Sequence, residues 1–304
     1  TTLDATICSQ IPIGLTLSTN GTSVAATSYN ILSRNVAAGL TSAVTNVAVP
    51  ASGVAASYLN NDSFTNTGAT AKTVTYEVAG VSAAGCVGAT RIITITINPE
   101  PVLSATLDKT VCSDLAGGIT LNTNGTSVAA ATYNITAKTV APGLTVVSAA
   151  AIPATGVAAN YLALDTYTNK GAVALDVQYT VVPVSASGCK GAAVIVKQTI
   201  NPEPVLANLS ATACSGLTIN LTLNTNGTSV AAANYNVTAV TVAAGLVSGA
   251  TNAVVPATGV SAGYLSNDKY TNSSNTDKTV TYKIVPVSAT GCLGDEVSVV
   301  MTIA

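Results

Sequence analysis

The hexapeptide Asn98-Pro99-Glu100-Pro101-Val102-Leu103 returns unchanged as Asn201-Pro202-Glu203-Pro204-Val205-Leu206, 103 residues later. A chain that repeats at this period must build its fold from copies of one unit, each large enough for a small core. The register is tight: Pro50, Pro153 and Pro256 keep the spacing of 103, as do Tyr58, Tyr161 and Tyr264. The boundaries fall at residues 1–98, 99–201 and 202–304. Two prolines flanking one glutamate fix φ twice and push their predecessors toward extended backbone. The pieces Asn98, Pro99, Glu100, Pro101 and Asn201, Pro202, Glu203, Pro204 therefore read as short, stiff joints rather than helix.

Within a unit the apolar period is two. Val74, Tyr76 and Val78 share one face of a strand, as do Val177, Tyr179, Val181 and Val280, Tyr282, Ile284. Ile93, Ile95 and Ile97 form a last strand that runs into the joint. Leu15 and Leu17 before Asn20-Gly21, Tyr29 to Val36, Thr41 to Val49, Tyr58 to Thr65 and a leading segment bring the expectation to about seven strands. This predicts an all-β chain of three tandem immunoglobulin-like β-sandwich modules in an extended rod. All twelve aromatic residues, eleven Tyr and one Phe, obey the repeat, so a module has four aromatics and otherwise a core of Val, Ile, Leu and Ala.

Only 8% of residues are charged, against about 25% in ordinary proteins. The eleven Lys and Arg split three, five and three among the modules, and a net charge of −2 offers no basic stripe for phosphates. Nucleic acid is excluded as a partner on this ground. No apolar run reaches the length of a membrane helix, so no membrane insertion is expected within this segment. The chain starts without Met and begins and ends at equivalent points of the repeat, which reads as an excerpt of a longer, processed polypeptide. There is no His for a triad, no repeated acid pair and no phosphate loop, so an enzyme is not expected and neither is a cofactor.

Six cysteines fall two per module: Cys8 and Cys86, Cys112 and Cys189, Cys214 and Cys292. Of the fifteen pairings open to six cysteines, the intramodule one gives every module the same bridge and is the expectation. It would fasten the end of the first strand to the Gly-Cys-x-Gly hairpin between the last two, and regular pairing fits an oxidising exterior.

Asn20, Asn124 and Asn226, each before Gly-Thr, match a glycosylation pattern but read first as tight turns. Asp62, Asp165 and Asp268 are the only acids kept in all three modules. They suit local turn hydrogen bonds; with Glu100 and Glu203 they would be the candidate ligands for calcium. Tyr58, Tyr161 and Tyr264 are the candidate platform for sugars, with core packing as the plainer role.

In order and spacing, several pieces resemble the PKD-like, immunoglobulin-like repeats of giant Bacteroidota surface adhesins. These are Ile7-Cys8-Ser9, Val111-Cys112-Ser113 and Ala213-Cys214-Ser215; Tyr264-Leu265 with Thr271-Asn272; the run Thr279 to Pro286; Gly291-Cys292-Leu293-Gly294; and the Asn-Pro-Glu-Pro joint. The resemblance implies type IX secretion, location at the bacterial cell surface, and a part in adhesion or gliding. It also implies O-glycosylation at Asp-Ser or Asp-Thr, which Asp62-Ser63 and Asp165-Thr166 approximate, making Ser63 and Thr166 candidates. The expected role is a non-enzymatic extracellular stalk or filament segment. A self-assembling sheath with lateral contacts and a carbohydrate-binding module are the alternatives. Expected partners are further copies of the repeat, surface glycans and neighbouring filaments.

Overall fold

A computed structural model describes residues 3–304, leaving Thr1 and Thr2, where the first module was expected to begin, outside the described residues. Among the described residues there is no helix, and none is therefore long and apolar enough to cross a membrane. The described residues form twenty-one strands, seven to a module. The first module has β1 (Ala5–Cys8), β2 (Ala26–Val36), β3 (Thr41–Ser42), β4 (Ala51–Val54), β5 (Phe64–Thr65), β6 (Lys72–Ser82) and β7 (Arg91–Asn98). The second repeats them as β8 (Lys109–Cys112), β9 (Ala130–Val140), β10 (Thr145–Ser148), β11 (Ala154–Val157), β12 (Thr166–Thr168), β13 (Leu175–Ser185) and β14 (Val194–Asn201). The third has β15 (Ser210–Ala213), β16 (Ala232–Val242), β17 (Leu246–Ser248), β18 (Ala257–Val260), β19 (Tyr270–Asn272), β20 (Lys278–Ser288) and β21 (Val297–Ile303).

One layer is a five-stranded sheet in the order β1-β7-β6-β2-β4, with the same order in the other modules. Its centre is the antiparallel pair β6–β7, in which Val74, Tyr76 and Val78 face Ile95, Ile93 and Arg91 across the ladder. The period-two faces of these strands supply the core, with Val74, Tyr76, Ile95 and Ile97 fully buried. The facing layer is the two-stranded β3–β5 sheet together with the extended stretch 10–17. That stretch is tied to the chain opposite by Ile13 N to Asp62 O at 2.8 Å and Leu17 N to Ala56 O at 2.9 Å. Ile13, Leu15 and Leu17 alternate inward from it and close the sandwich. Each module has its own cluster of buried apolar residues.

Two expected strands shrink. Thr41 to Val49 pairs only at Thr41–Ser42, and Tyr58 to Thr65 only at Phe64–Thr65. The rest of each run turns, because the backbone hydrogen bonds there are local: Asn46 N to Ala43 O, Tyr58 N to Ala55 O and Asp62 N to Leu59 O. β4 was not foreseen; its Ala51–Val54 sequence contains Gly53 at φ 66° and lies at the sheet edge, where alternation is weakly imposed.

The strand with most consequence is β1. It pairs parallel to β7, with Cys8 opposite Asn98, whereas the Gly85-Cys86 hairpin lies at the other end of β7. The eight residues of β7 separate these ends by about 23 Å at the usual strand rise. A disulfide needs Cα atoms within about 7 Å.

Candidate functional sites at the inter-module joints

Cys8 therefore cannot reach Cys86, and the intramodule bridges expected from the repeat are corrected. Cys8 is bonded to Cys189 and Cys112 to Cys292, with Cα atoms 5.3 Å apart in each pair. Each bridge joins the exit end of one module to the entry hairpin of the next. Cys86 and Cys214, expected in bridges, are exposed thiols. The cysteine spacing was blind to this because pairing each first cysteine with the second of its own module, or with the second of the next, keeps the same repeat; the parallel direction of β1 decides between them.

The joint is not a free linker. Pro99, Glu100, Pro101 and Leu103 are buried, as are Pro202, Glu203, Pro204 and Leu206, while Asn98 and Asn201 are half-buried. Glu100 N donates to Asn66 O and Glu203 N to Asn169 O, both at 2.9 Å, which fastens the joint to the module it leaves. On the other side the joint adds an edge to the module it enters. Asn124 N donates to Val102 O at 2.9 Å, Ser104 N to Asn122 O at 3.1 Å, and Val102 N to Ser127 Oγ at 3.0 Å. The second joint repeats all three, through Asn226 to Val205, Ala207 to Asn224, and Val205 to Ser229 Oγ. Gly191 and Gly294 let the joint pass: a Cβ on either would collide with the carbonyl of Pro101 or Pro204. A direct contact completes each interface, Val128 N to Gly68 O and Val230 N to Gly171 O at 2.9 Å.

The Asn-Gly-Thr motifs are turns, at these interfaces for Asn124 and Asn226 and at the entry end of the first module for Asn20. Asn20, Asn124 and Asn226 each accept two backbone N–H bonds at Oδ1, between 2.9 and 3.1 Å, from the residues two and three further on. Residues to which the sequence reading gave no role hold the other side. Asn66 Nδ2 donates to Thr70 O and Ile97 O, and Ser9 Oγ accepts from Asn66 N at 2.8 Å. Ser113 and Asn169, then Ser215 and Asn272, repeat the arrangement. Their signal was available, since Asn66, Asn169 and Asn272 keep the spacing of 103.

The two joints differ in charge. At the first, Gln10 Nε2 donates to both oxygens of the buried Glu100, at 2.9 and 2.7 Å. At the second, Asp114 stands where Gln10 stood, and carboxylate oxygens of Asp114, Glu203 and Asp295 gather within 4.8 Å. Lys170 Nζ lies 2.7 Å from Asp295 and 3.6 Å from Glu203. Among the described residues no donor stands within hydrogen-bond distance of Glu203 Oε1. Burial first, then the neighbouring Asp114 and Asp295 carboxylates, push the Glu203 carboxyl up to about 7, against the pull of Lys170. Among the described residues these three acids are the set that could approach a cation.

Asp62, Asp165 and Asp268 serve the module interior instead. Oδ1 of each accepts a loop N–H, from Val47, Ala150 and Ala253, at 2.7 to 2.8 Å. Oδ2 of each accepts the buried hydroxyl of Tyr76, Tyr179 or Tyr282, at 2.7 to 2.8 Å. Burial raises these tyrosines well above the usual phenol range, followed by the bond to Asp62 at Tyr76 and, at Tyr179 and Tyr282, by the bonds to Tyr167 or Tyr270 and then to the aspartate. Tyr167 and Tyr270 add their hydroxyls to the network. Phe64 has none, and there Arg34 Nη1 binds Asp62 at 3.1 Å. These aspartates thus face core tyrosines and loop amides, while Glu100 and Glu203 face the joints.

Tyr58, Tyr161 and Tyr264 are half-buried and donate their hydroxyls to Ala48 O, Ala151 O and Val254 O at 2.8 to 2.9 Å. Ser63 and Thr166 are half-exposed beside the buried aspartates, and Thr166 Oγ1 donates to Leu164 O.

The match to family models decides the class: residues 5–101, 109–204 and 211–304 each match the PKD-like domain. The chain belongs to the PKD-like domain family. Its three PKD-like modules are of a kind that is typically structural or adhesive rather than catalytic. No curated protein matches the chain. Among solved structures, human CDH23 EC21-23 is similar at 13% identity over 90% of this chain and 88% of that one, with a TM-score of 0.26. A Bacteroides ovatus mixed-linkage glucan SGBP-B aligns at 14% identity over 99% of this chain and 67% of that one, TM-score 0.17. Drosophila N-cadherin EC1-4 aligns at 13% identity over 99% and 73%, TM-score 0.22.

Proposed function

We propose that the chain is a stiff extracellular spacer, a stalk or filament segment of a larger repeat protein that holds an adhesive part away from the bacterial surface. The observation that carries this reading is the double fastening of each joint, by a buried Pro-Glu-Pro segment and by a disulfide between neighbours. A joint built only to connect needs neither. Disulfides are kept in oxidising surroundings, which supports an extracellular location. The reading uses no cofactor and no catalytic group, and its partners are further modules of the repeat. Ser63 and Thr166 are the positions that would carry glycans. The Bacteroidota surface, with export by a type IX system and a part in gliding, is the setting in which such spacers belong.

Small-angle scattering tests the mechanical claim. The oxidised chain should give one maximum dimension, unchanged between about 0.05 and about 0.5 M salt, a range over which the screening length falls from about 14 to about 4 Å and surface ion pairs weaken. The Cys8→Ser plus Cys112→Ser variant should retain folded modules and show a broader distance distribution. Freely jointed modules in the oxidised protein would sink the spacer reading.

A further inference from the structure

The two joints are copies of one structure, yet the buried glutamate at their centre is satisfied at one and left short at the other. At the first, the Gln10 amide donates to both oxygens of Glu100, at 2.9 and 2.7 Å. At the second, Asp114 holds the place of Gln10, and an ionised carboxylate has no proton to donate. Glu203 is 2% exposed, and among the described residues no donor reaches its Oε1. That oxygen faces the acidic cluster: Lys170 Nζ, itself 2.7 Å from Asp295 Oδ2, lies 3.6 Å from it. Lys170 and Asp295 stand where the first joint has Thr67 and Ala192, so the cluster belongs to the second joint alone. Its three carboxylates and one ammonium leave a formal charge of −2. A buried carboxylate oxygen without a partner is costly, and here the missing partner is a positive charge.

The geometry points to a calcium site at the second joint, with Asp114, Glu203 and Asp295 as its protein ligands. Every donor is a carboxylate oxygen, a hard ligand that suits calcium or magnesium. Oxygens on opposite sides of one calcium ion stand about 4.6–5.2 Å apart. The three carboxylate oxygens lie within 4.8 Å of one another, so all can reach a single ion as they stand. Asp114 and Asp295 are exposed, which leaves the outer face open for water to complete the shell. Thr168 Oγ1 donates to Asp114 Oδ1 and steadies that carboxylate from β12. Calcium is favoured over magnesium because the ligands come from loops and a joint, in no octahedral frame, and magnesium demands one. Lys170 is half-exposed on a long, flexible stem, so its ammonium can turn toward solvent as the ion enters. Asp114 follows β8 of the second module, Glu203 lies in the joint, and Asp295 sits between β20 and β21 of the third. One ion would therefore tie both modules to the joint, beside the disulfide that already links them.

Calorimetric titration of the oxidised, chelator-treated chain with calcium chloride tests this. It should find one ion per chain, with a dissociation constant on the order of 10⁻⁴ to 10⁻³ M, the range of extracellular calcium modules. Magnesium chloride should bind at least about tenfold more weakly, and Asp114→Asn and Asp295→Asn should each weaken calcium by at least about tenfold. The triple variant Asp114→Gln, Lys170→Thr, Asp295→Ala copies the first joint onto the second. It should take up no calcium, with Cys8–Cys189 and Cys112–Cys292 intact by peptide mapping as proof of folding. Calcium should raise the melting temperature of the parent and leave that of the triple variant unchanged. No uptake by the parent at about 10 mM calcium, an order above the expected range, would overturn the proposal. So would equal uptake of magnesium, or undiminished uptake by the triple variant. Such a failure would leave the spacer reading standing, since that rests on the buried joints and the disulfides and is read by scattering.

Discussion

Tyr179 and Asp165 carry the most concentrated chemistry in a module otherwise built of aliphatic residues. Asp165 is 2% exposed and depends on the Tyr179 hydroxyl at 2.8 Å and the Ala150 amide at 2.7 Å. Tyr179→Phe removes the donor and leaves a buried acceptor short, a cost of about 1–3 kcal/mol. In urea unfolding it should lower the midpoint of the second module, whereas Tyr161→Phe, whose hydroxyl meets an exposed-side carbonyl, should cost under about 1 kcal/mol. Equal effects would mean that the Asp-centred network is not what holds the loop. Glu203 gives a pH test. Its carboxyl titrates near 7 in the fold and near 4.5 when free, so between these values the folded chain binds more protons than the unfolded one. Stability from this group is then complete below about 4.5 and is lost as the pH rises through 7. The melting temperature should fall across that window, and Glu203→Gln should flatten the fall. A melting temperature equally pH-dependent in the variant would refute the assignment.

At the scale of elements, the joint is an edge strand laid on the module that follows it, and its path is set by glycine. Gly191→Ala and Gly294→Ala place a methyl against a backbone carbonyl that cannot rotate away, so each should destabilise by about 1–3 kcal/mol and loosen its joint. Gly88 is the internal control. A Cβ there meets only the Gly80 carbonyl at 3.5 Å, an ordinary contact, and Gly88→Ala should stay within about 0.5 kcal/mol of the parent. Thermal unfolding of the three variants side by side checks this. Comparable losses at all three would show that the glycines answer to the hairpin and not to the joint. The strands themselves were legible where one face is buried: Val74, Tyr76, Val78 and Ile93, Ile95, Ile97 alternate because the core demands it. The stretch 10–17 alternates in the same way through Ile13, Leu15 and Leu17, though it bonds to loop backbone rather than to a strand. The turns at 43–49 and 55–62 were not legible, because their backbone bonds are local or go to the buried aspartate, which imposes no period on the side chains.

At the scale of the whole molecule, the stiffness predicted for scattering depends on bonds between modules, and these are what a repeat conceals. The period of 103 residues determined that there are three units with four aromatics each and a Pro-Glu-Pro segment between them, and the apolar period of two within a unit made each one a β-sandwich. The longer period also determined that Asp62, Asp165 and Asp268 have one shared task. Only the tertiary structure decided which cysteine meets which. Periodicity is unchanged when every first cysteine shifts its partner by one module, so the sequence carries no preference between the two schemes. The direction of β1 does: lying parallel to β7, it brings Cys8 to the exit end beside Asn98, one strand length from its own hairpin and within reach of the next.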